Sequence, residues 1–213
     1  LKHMVQLMIP NKGTIRIGDE VINTARGEDL ERIRSRFGVL FQGAALLQWL
    51  TVFENVALPL REHTDLSNEE IETRVMEKLT LLNMEDAIDK YPSDISGGMQ
   101  KRVGMARAII LDPEIILYDE PTSGLDPVTS RLIDELIDRM RTELGVTSVV
   151  VTHDLHSALS IGTRIMMLDG GKIVENAPPE EFINSKNETV QRFLESQYIT
   201  RRGEWEKGME SHA

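Results

Sequence analysis

The 213 residues contain no cysteine, which excludes disulfides and thiolate metal sites and fits a reducing cytoplasm. Long apolar runs are missing too. A bilayer-spanning helix needs about 20 continuous apolar residues, and the best candidates, 108–111 and 115–118, are split by Asp112-Pro113-Glu114. Any membrane role is therefore expected to come through a partner. Positive charge is scarce: 24 Lys plus Arg face 35 Asp plus Glu, a net charge of -11. A sequence-independent grip on nucleic acid needs clustered cations that displace counterions, so no nucleic-acid partner is expected. The start carries no signal-peptide pattern. It also opens on Leu1 rather than Met, which reads as a fragment or a processed product.

What remains is ordinary globular composition, 40% hydrophobic and 28% charged, enough for one domain or a domain with an inserted subdomain. Residues 1–9 space their apolar positions (Leu1, Met4, Val5, Met8, Ile9) as a helix would. A turn at Pro10-Asn11-Lys12-Gly13, a short alternating strand at 14–17, a helical connector at 28–36 and a buried strand at 37–41 follow. Between Gln42 and Pro59 the pattern loosens, and Trp49, Phe53 and Leu60 receive no assignment. Ser67 and Glu70 form a capping box for a helix whose Ile71, Val75, Leu79 and Leu82 repeat at helical spacing.

A second helix starts after Ile95-Ser96-Gly97-Gly98 and is stopped by Asp112-Pro113. Residues 115–118 read as a strand. Asp126 and Pro127 then cap and open a long helix with an apolar stripe of Val128, Leu132, Ile133, Leu136, Ile137, Met140 and Leu144, closed by Gly145. Another buried strand at 149–151, a short helix from Asp154 and a hairpin turning at Asp169-Gly170-Gly171 complete the pattern. The tail at 201–213 is polar. Strands alternating with helices imply an α/β fold, a parallel sheet covered on both faces, whose ligands bind at the carboxyl ends of the strands.

The chemistry-bearing residues fall at those ends. Four apolar residues of the strand 115–118 are followed by Asp119-Glu120. One carboxylate there can hold Mg²⁺, usually through water, and the next can orient a water for attack on a phosphoryl group. Ser96-Gly97-Gly98 leaves backbone N–H groups open at the positive end of a helix dipole, with Lys101 and Arg102 one turn inside. His153 follows a strand end, where its near-neutral pKa suits phosphate contact. Taken singly, each feature reads better as a charged turn, a glycine-containing helix start or a bystander histidine.

In order along the chain they resemble the ABC ATPase family. Ile95-Ser96-Gly97-Gly98-Met99-Gln100-Lys101-Arg102 looks like its signature, and the run from Tyr118 through Asp126 to Pro127 is similar to its Walker B motif and D-loop. Gln42 matches the Q-loop glutamine and His153 the switch histidine. Two positions of the signature depart from the common pattern, Ile95 for Leu and Met99 for Gln. The larger departure is that no G-x-x-G-x-G-K-S/T motif (Walker A) occurs in the chain.

The resemblance implies a P-loop NTPase-like parallel sheet with helices on both faces and an inserted helical subdomain at about 43–110, within a domain of residues 1–200 that lacks the N-terminal strands and P-loop. It also implies ATP and Mg²⁺ as cofactors. Glu120 would orient or deprotonate water and His153 would contact the γ-phosphate. Asp119 and Gln42 would coordinate the metal, and Ser96, Gly97, Gly98 and Gln100 would cap the ATP held by a second ATPase subunit in a homodimer. Asp126 would couple the two sites. A permease would dock near residues 42–64, placing the protein at the cytoplasmic face of an inner membrane. Segments 42–46, 59–64 and 96–99 look like the Mla-type (Mce-associated) branch, which moves phospholipid between bacterial membranes and works with a Mce-type lipid-binding subunit. The alternatives are an ABC ATPase acting on DNA or ribosomes, disfavoured by the acidity and the single short cassette, a transporter of another substrate, and a non-catalytic fragment unable to bind ATP alone.

Overall fold

The computed structural model describes residues 1–197; the polar segment 201–213 lies outside the described residues. Two compact units divide the chain, Leu1–Thr152 and His153–Ala213.

In the first unit, β1 (Arg16–Ile17) and β2 (Glu20–Val21) form a small antiparallel hairpin. With α1 (Gly27–Arg34) it buries Ile17, Ile22 and Ile33 against Phe37 and Ile115. A three-stranded parallel sheet follows, ordered β3 (Phe37–Leu40), β4 (Ile115–Asp119), β5 (Thr147–Val151). The central strand is the most apolar, and its Ile116, Leu117 and Tyr118 are fully buried, as a strand covered on both faces requires. Between β3 and β4 run α2 (Val52–His63), α3 (Asn68–Leu81) and α4 (Gly97–Ile109), which pack on one another while α4 also lies on β3. These three helices all lie between residues 52 and 109. Both α2 and α3 start with complete capping boxes, Thr51 with Glu54 and Ser67 with Glu70. The box at Thr51 starts the helix that carries Phe53 and Leu60, with Pro59 inside it, while Trp49 lies in the turns before it. Finally α5 (Pro127–Leu144) ends at Gly145, whose φ of +67° is the left-handed stop that glycine adopts without penalty.

The second unit contains α6 (Leu155–Ile161), the hairpin of β6 (Ile165–Asp169) and β7 (Lys172–Ala177), α7 (Pro179–Ile183) and α8 (Glu188–Ser196). Asp154 caps α6 by accepting from the N–H groups of His156 and Ser157. Leu155, Ala177, Phe182, Val190 and Leu194 form its core, flanked by Ile165 and Met167.

Two expectations are corrected. Residues 1–9 are turns, not a helix. Gln6 has φ +52°, and its side-chain amide donates to the carbonyls of Ile22 and Asn23 at 2.8 and 2.9 Å. A nine-residue segment is too short to hold a helix by its own hydrogen bonds, so these contacts to the hairpin prevail. In α5 the stripe is only partly interior: Ile133, Leu136, Ile137 and Met140 are buried, whereas Val128 is 71% and Leu132 52% exposed. The sequence period marks an apolar face wider than the surface that covers it here.

Candidate functional site

The sheet register brings the expected residues to one end. Leu40 pairs with Tyr118 and Asp119 with Val151, so Gln42 leaves β3 at the same edge where Asp119 and Glu120 leave β4. The Gln42 side-chain amide donates to Ser123 Oγ at 3.2 Å, joining the loop after β3 to the turn after β4. Glu120 has φ +49°, and Ala44 and Ala45 have φ +57° and +50°. Non-glycine residues in the left-handed region cost about 1–2 kcal/mol each and persist where surrounding contacts over-determine them. Those contacts are visible. The Glu120 N–H donates to the Val151 carbonyl at 2.9 Å, and the Ser123 N–H donates to the Glu120 carbonyl at 3.2 Å. Arg107, from α4, donates to the Ala44 carbonyl at 2.8 Å.

Lys101 occupies the centre of this arrangement. It is only 5% exposed, and its ammonium donates to the main-chain carbonyls of Gln42 and, at 3.1 Å, of Glu120. Burial pulls its pKa below the usual lysine value, an effect partly offset by the charges of Glu120 and Asp119. The sequence places Lys101 and Arg102 near an anion site at the start of α4. Instead Lys101 points inward, and Arg102 donates to the carbonyls of Leu82 and Asn83 at 3.2 and 2.8 Å. Each ties main-chain carbonyls of other segments to α4.

The α4 start forms a second cluster. Ser96 is the N-cap, accepting from the Met99 N–H at 3.3 Å. A Cβ on Gly98 would lie 2.4 Å from Thr129 Cγ2, so only glycine lets α4 approach the first turn of α5 this closely. Thr129 Oγ1 in turn donates to Asp126 Oδ2 at 2.5 Å, and Asp126 Oδ1 accepts from the N–H groups of Val128 and Thr129 at 3.0 Å. The Thr129 hydroxyl and N–H hold the Asp126 carboxyl below its usual pKa. Gln100 turns back into its own subunit, donating to the Pro92 carbonyl at 2.8 Å. Its side chain thus braces the signature segment. His153 belongs to the second unit, two residues beyond the end of β5.

Sequence reading missed three contributors. Lys101 shows in the sequence only as a charge one turn inside α4, and Arg107 carries no motif. Asn55, fully buried in α2, exchanges hydrogen bonds with Leu47 and so holds the loop after Gln42. The only signal for it was a polar residue on the apolar face of a helix. Among the described residues there is no cluster of three or more His, Cys, Asp or Glu able to enclose a metal. Asp119 and the Gln42 amide are hard oxygen donors suited to Mg²⁺, but too few to hold it without waters and substrate phosphates. Such a donor set fits a metal shared with a bound nucleotide. No described helix is long and apolar enough to cross a membrane.

A parallel sheet with glutamine, Asp-Glu and a Ser-Gly-Gly helix start at these places is the arrangement of an ATP-binding cassette, and comparison agrees. The family model described as "ABC transporter" matches residues 1–123. The chain belongs to the ABC transporter family of ATP-binding domains. It is 40% identical over 199 residues to the Mycobacterium tuberculosis protein named "Probable ribonucleotide transport ATP-binding protein mkl", covering 93% of this chain and 55% of that protein. It is 36% identical over 190 residues to the intermembrane phospholipid transport system ATP-binding protein MlaF of Haemophilus influenzae, covering 89% of this chain and 72% of MlaF. A solved dimeric ATP-binding cassette, in a post-hydrolysis state bound to ADP and Pi, superposes with a TM-score of 0.75 at 35% identity, covering 84% of this chain and 78% of that one. The chain spans little more than half the length of the mycobacterial relative.

Proposed function

We propose that the complete protein is the ATP-hydrolysing subunit of an ABC transporter and powers phospholipid transport between bacterial membranes. The observation that carries the hydrolytic reading is the junction of Gln42 with the turn after Asp119-Glu120 at the carboxyl edge of the sheet. In this reading Glu120 orients or deprotonates the attacking water, and Asp119 with Gln42 holds Mg²⁺, which offsets phosphate charge when bound. His153 contacts the γ-phosphate. Ser96, Gly97 and Gly98 cap a nucleotide on a second copy, aided by the open N–H groups at the start of α4, with Gln100 shaping that segment. Asp126 couples the paired sites. The dimer formed by the similar solved cassette supports this assembly.

Residues 1–200 are read as the ATPase domain and 43–110 as its inserted helical subdomain. The face near residues 42–64 docks a permease. Trp49, 72% exposed, gives that face an apolar anchor of the kind interfaces favour. Docking places the protein at the cytoplasmic side of an inner membrane, alongside a Mce-type lipid-binding subunit. Similarity to MlaF, together with segments 42–46, 59–64 and 96–99, supports the phospholipid reading. Similarity to mkl, named for ribonucleotide transport, supports a second reading with another cargo.

Two measurements on the protein encoded by the complete reading frame test this. Wild type should hydrolyse ATP and Glu120→Gln should lose at least about 100-fold in kcat; a variant as fast as wild type removes Glu120 from its role. With co-purified membrane subunits, ATP should drive phospholipid transfer between vesicles. Active hydrolysis without lipid transfer, but with ribonucleotide uptake, would establish the second reading.

A further inference from the structure

We propose that Lys101 is a positioning residue for hydrolysis: from α4 its ammonium ties the main-chain carbonyls of Gln42 and Glu120 together and so sets where both side chains stand. The inference rests on the reading of Glu120 and Gln42 given above.

Three observations carry it. First, the placement is expensive for a residue that only fills space. Taking an ammonium out of water is costly unless acceptors compensate, and an apolar side chain of the same length would fill the volume without that cost. Second, its two acceptors are not neighbours in sequence. Gln42 follows β3 and Glu120 follows β4, and the cation joins these strand ends from a third element. Third, both tethered stretches carry left-handed backbone, at Ala44 and Ala45 on one side and at Glu120 itself on the other. The Glu120 peptide is then gripped on both sides, its N–H by the Val151 carbonyl and its carbonyl by Lys101 and the Ser123 N–H.

The helix that carries Lys101 begins at Ser96. Movement of α4 therefore pulls on both carbonyls at once, linking the nucleotide-capping segment to the water-orienting residue within one subunit.

The test is steady-state kinetics of the complete protein. Lys101→Met keeps the volume and removes the donor; it is expected to lower kcat about 10-fold or more while KM for ATP stays within about threefold. Lys101→Arg keeps a charged donor in a longer, planar head and should fall between Met and wild type, again with KM little changed. A purely structural role would instead lower the folded fraction and leave kcat per folded, active molecule unchanged. If Lys101→Met does not fold, the split is read from Lys101→Arg alone. A folded variant with kcat within about twofold of wild type, or a loss residing in KM, overturns the proposal. Absence of hydrolysis in wild type, or normal hydrolysis by Glu120→Gln, overturns the underlying reading instead, and the proposal with it.

Discussion

Replacing Asn55 by leucine tests whether the loop after Gln42 is held by buried polar contacts. The two side chains share their branching and number of heavy atoms, so the change removes the hydrogen bonds while keeping the side-chain shape, with some crowding from the larger methyl groups. Asn55 Oδ1 accepts from the Leu47 N–H at 2.8 Å, and Nδ2 donates to the carbonyls of Leu47, Leu50 and Thr51 at 3.1, 3.1 and 2.9 Å. Two of those carbonyls keep another partner: Leu47 O accepts from the Leu50 N–H, and Thr51 O from the Asn55 N–H. The Leu47 N–H and the Leu50 carbonyl lose the side chain that serves them. At about 1–3 kcal/mol for each buried polar group left unmatched, and with some return from the added apolar surface, the expected loss is about 2–4 kcal/mol. That is a large share of the roughly 5–15 kcal/mol that holds a typical domain. Urea unfolding of the complete protein should show a lower midpoint at unchanged slope, and amide exchange should quicken at residues 44–51. A stability loss below about 0.5 kcal/mol would mean that the loop is held by something else.

Two further predictions follow from the contact between α4 and α5. Gly98→Ala drives a methyl into Thr129 and should destabilise by about 1–3 kcal/mol in thermal or urea unfolding; adding Thr129→Ser removes the opposing methyl and should restore most of the loss. No rescue by the double variant would place the strain elsewhere. The depressed Asp126 carboxyl makes its cap dependent on pH. A carboxyl lowered on folding contributes stability that is complete above its unfolded pKa and is lost as pH falls through the folded one. The stability advantage of wild type over Asp126→Asn should therefore be flat near neutrality and shrink below the usual carboxylate range. An advantage that persisted unchanged into strong acid would remove the charge from the explanation.

Elements whose stabilising contacts are local are legible in residue order alone. Ser67 with Glu70, Asp126 with Pro127, and Gly145 lie within a turn of the helix ends they set, so spacing alone exposes them. The motifs at Gln42 and Asp119-Glu120 fall at strand ends that share one edge, because parallel strands deliver their carboxyl ends together. Whatever depends on a partner distant in the chain emerges only on folding. Residues 1–9 have helical spacing, yet the carbonyls of Ile22 and Asn23 capture Gln6 and replace helix with turns. Val128 and Leu132 fit the stripe of α5 and are nonetheless exposed, since periodicity describes a face and not what covers it. Lys101 shows the difference most clearly: next to a glycine-rich helix start its charge suggests an anion site, but α4 lies on β3 and turns that ammonium toward two carbonyls that no spacing rule connects to it.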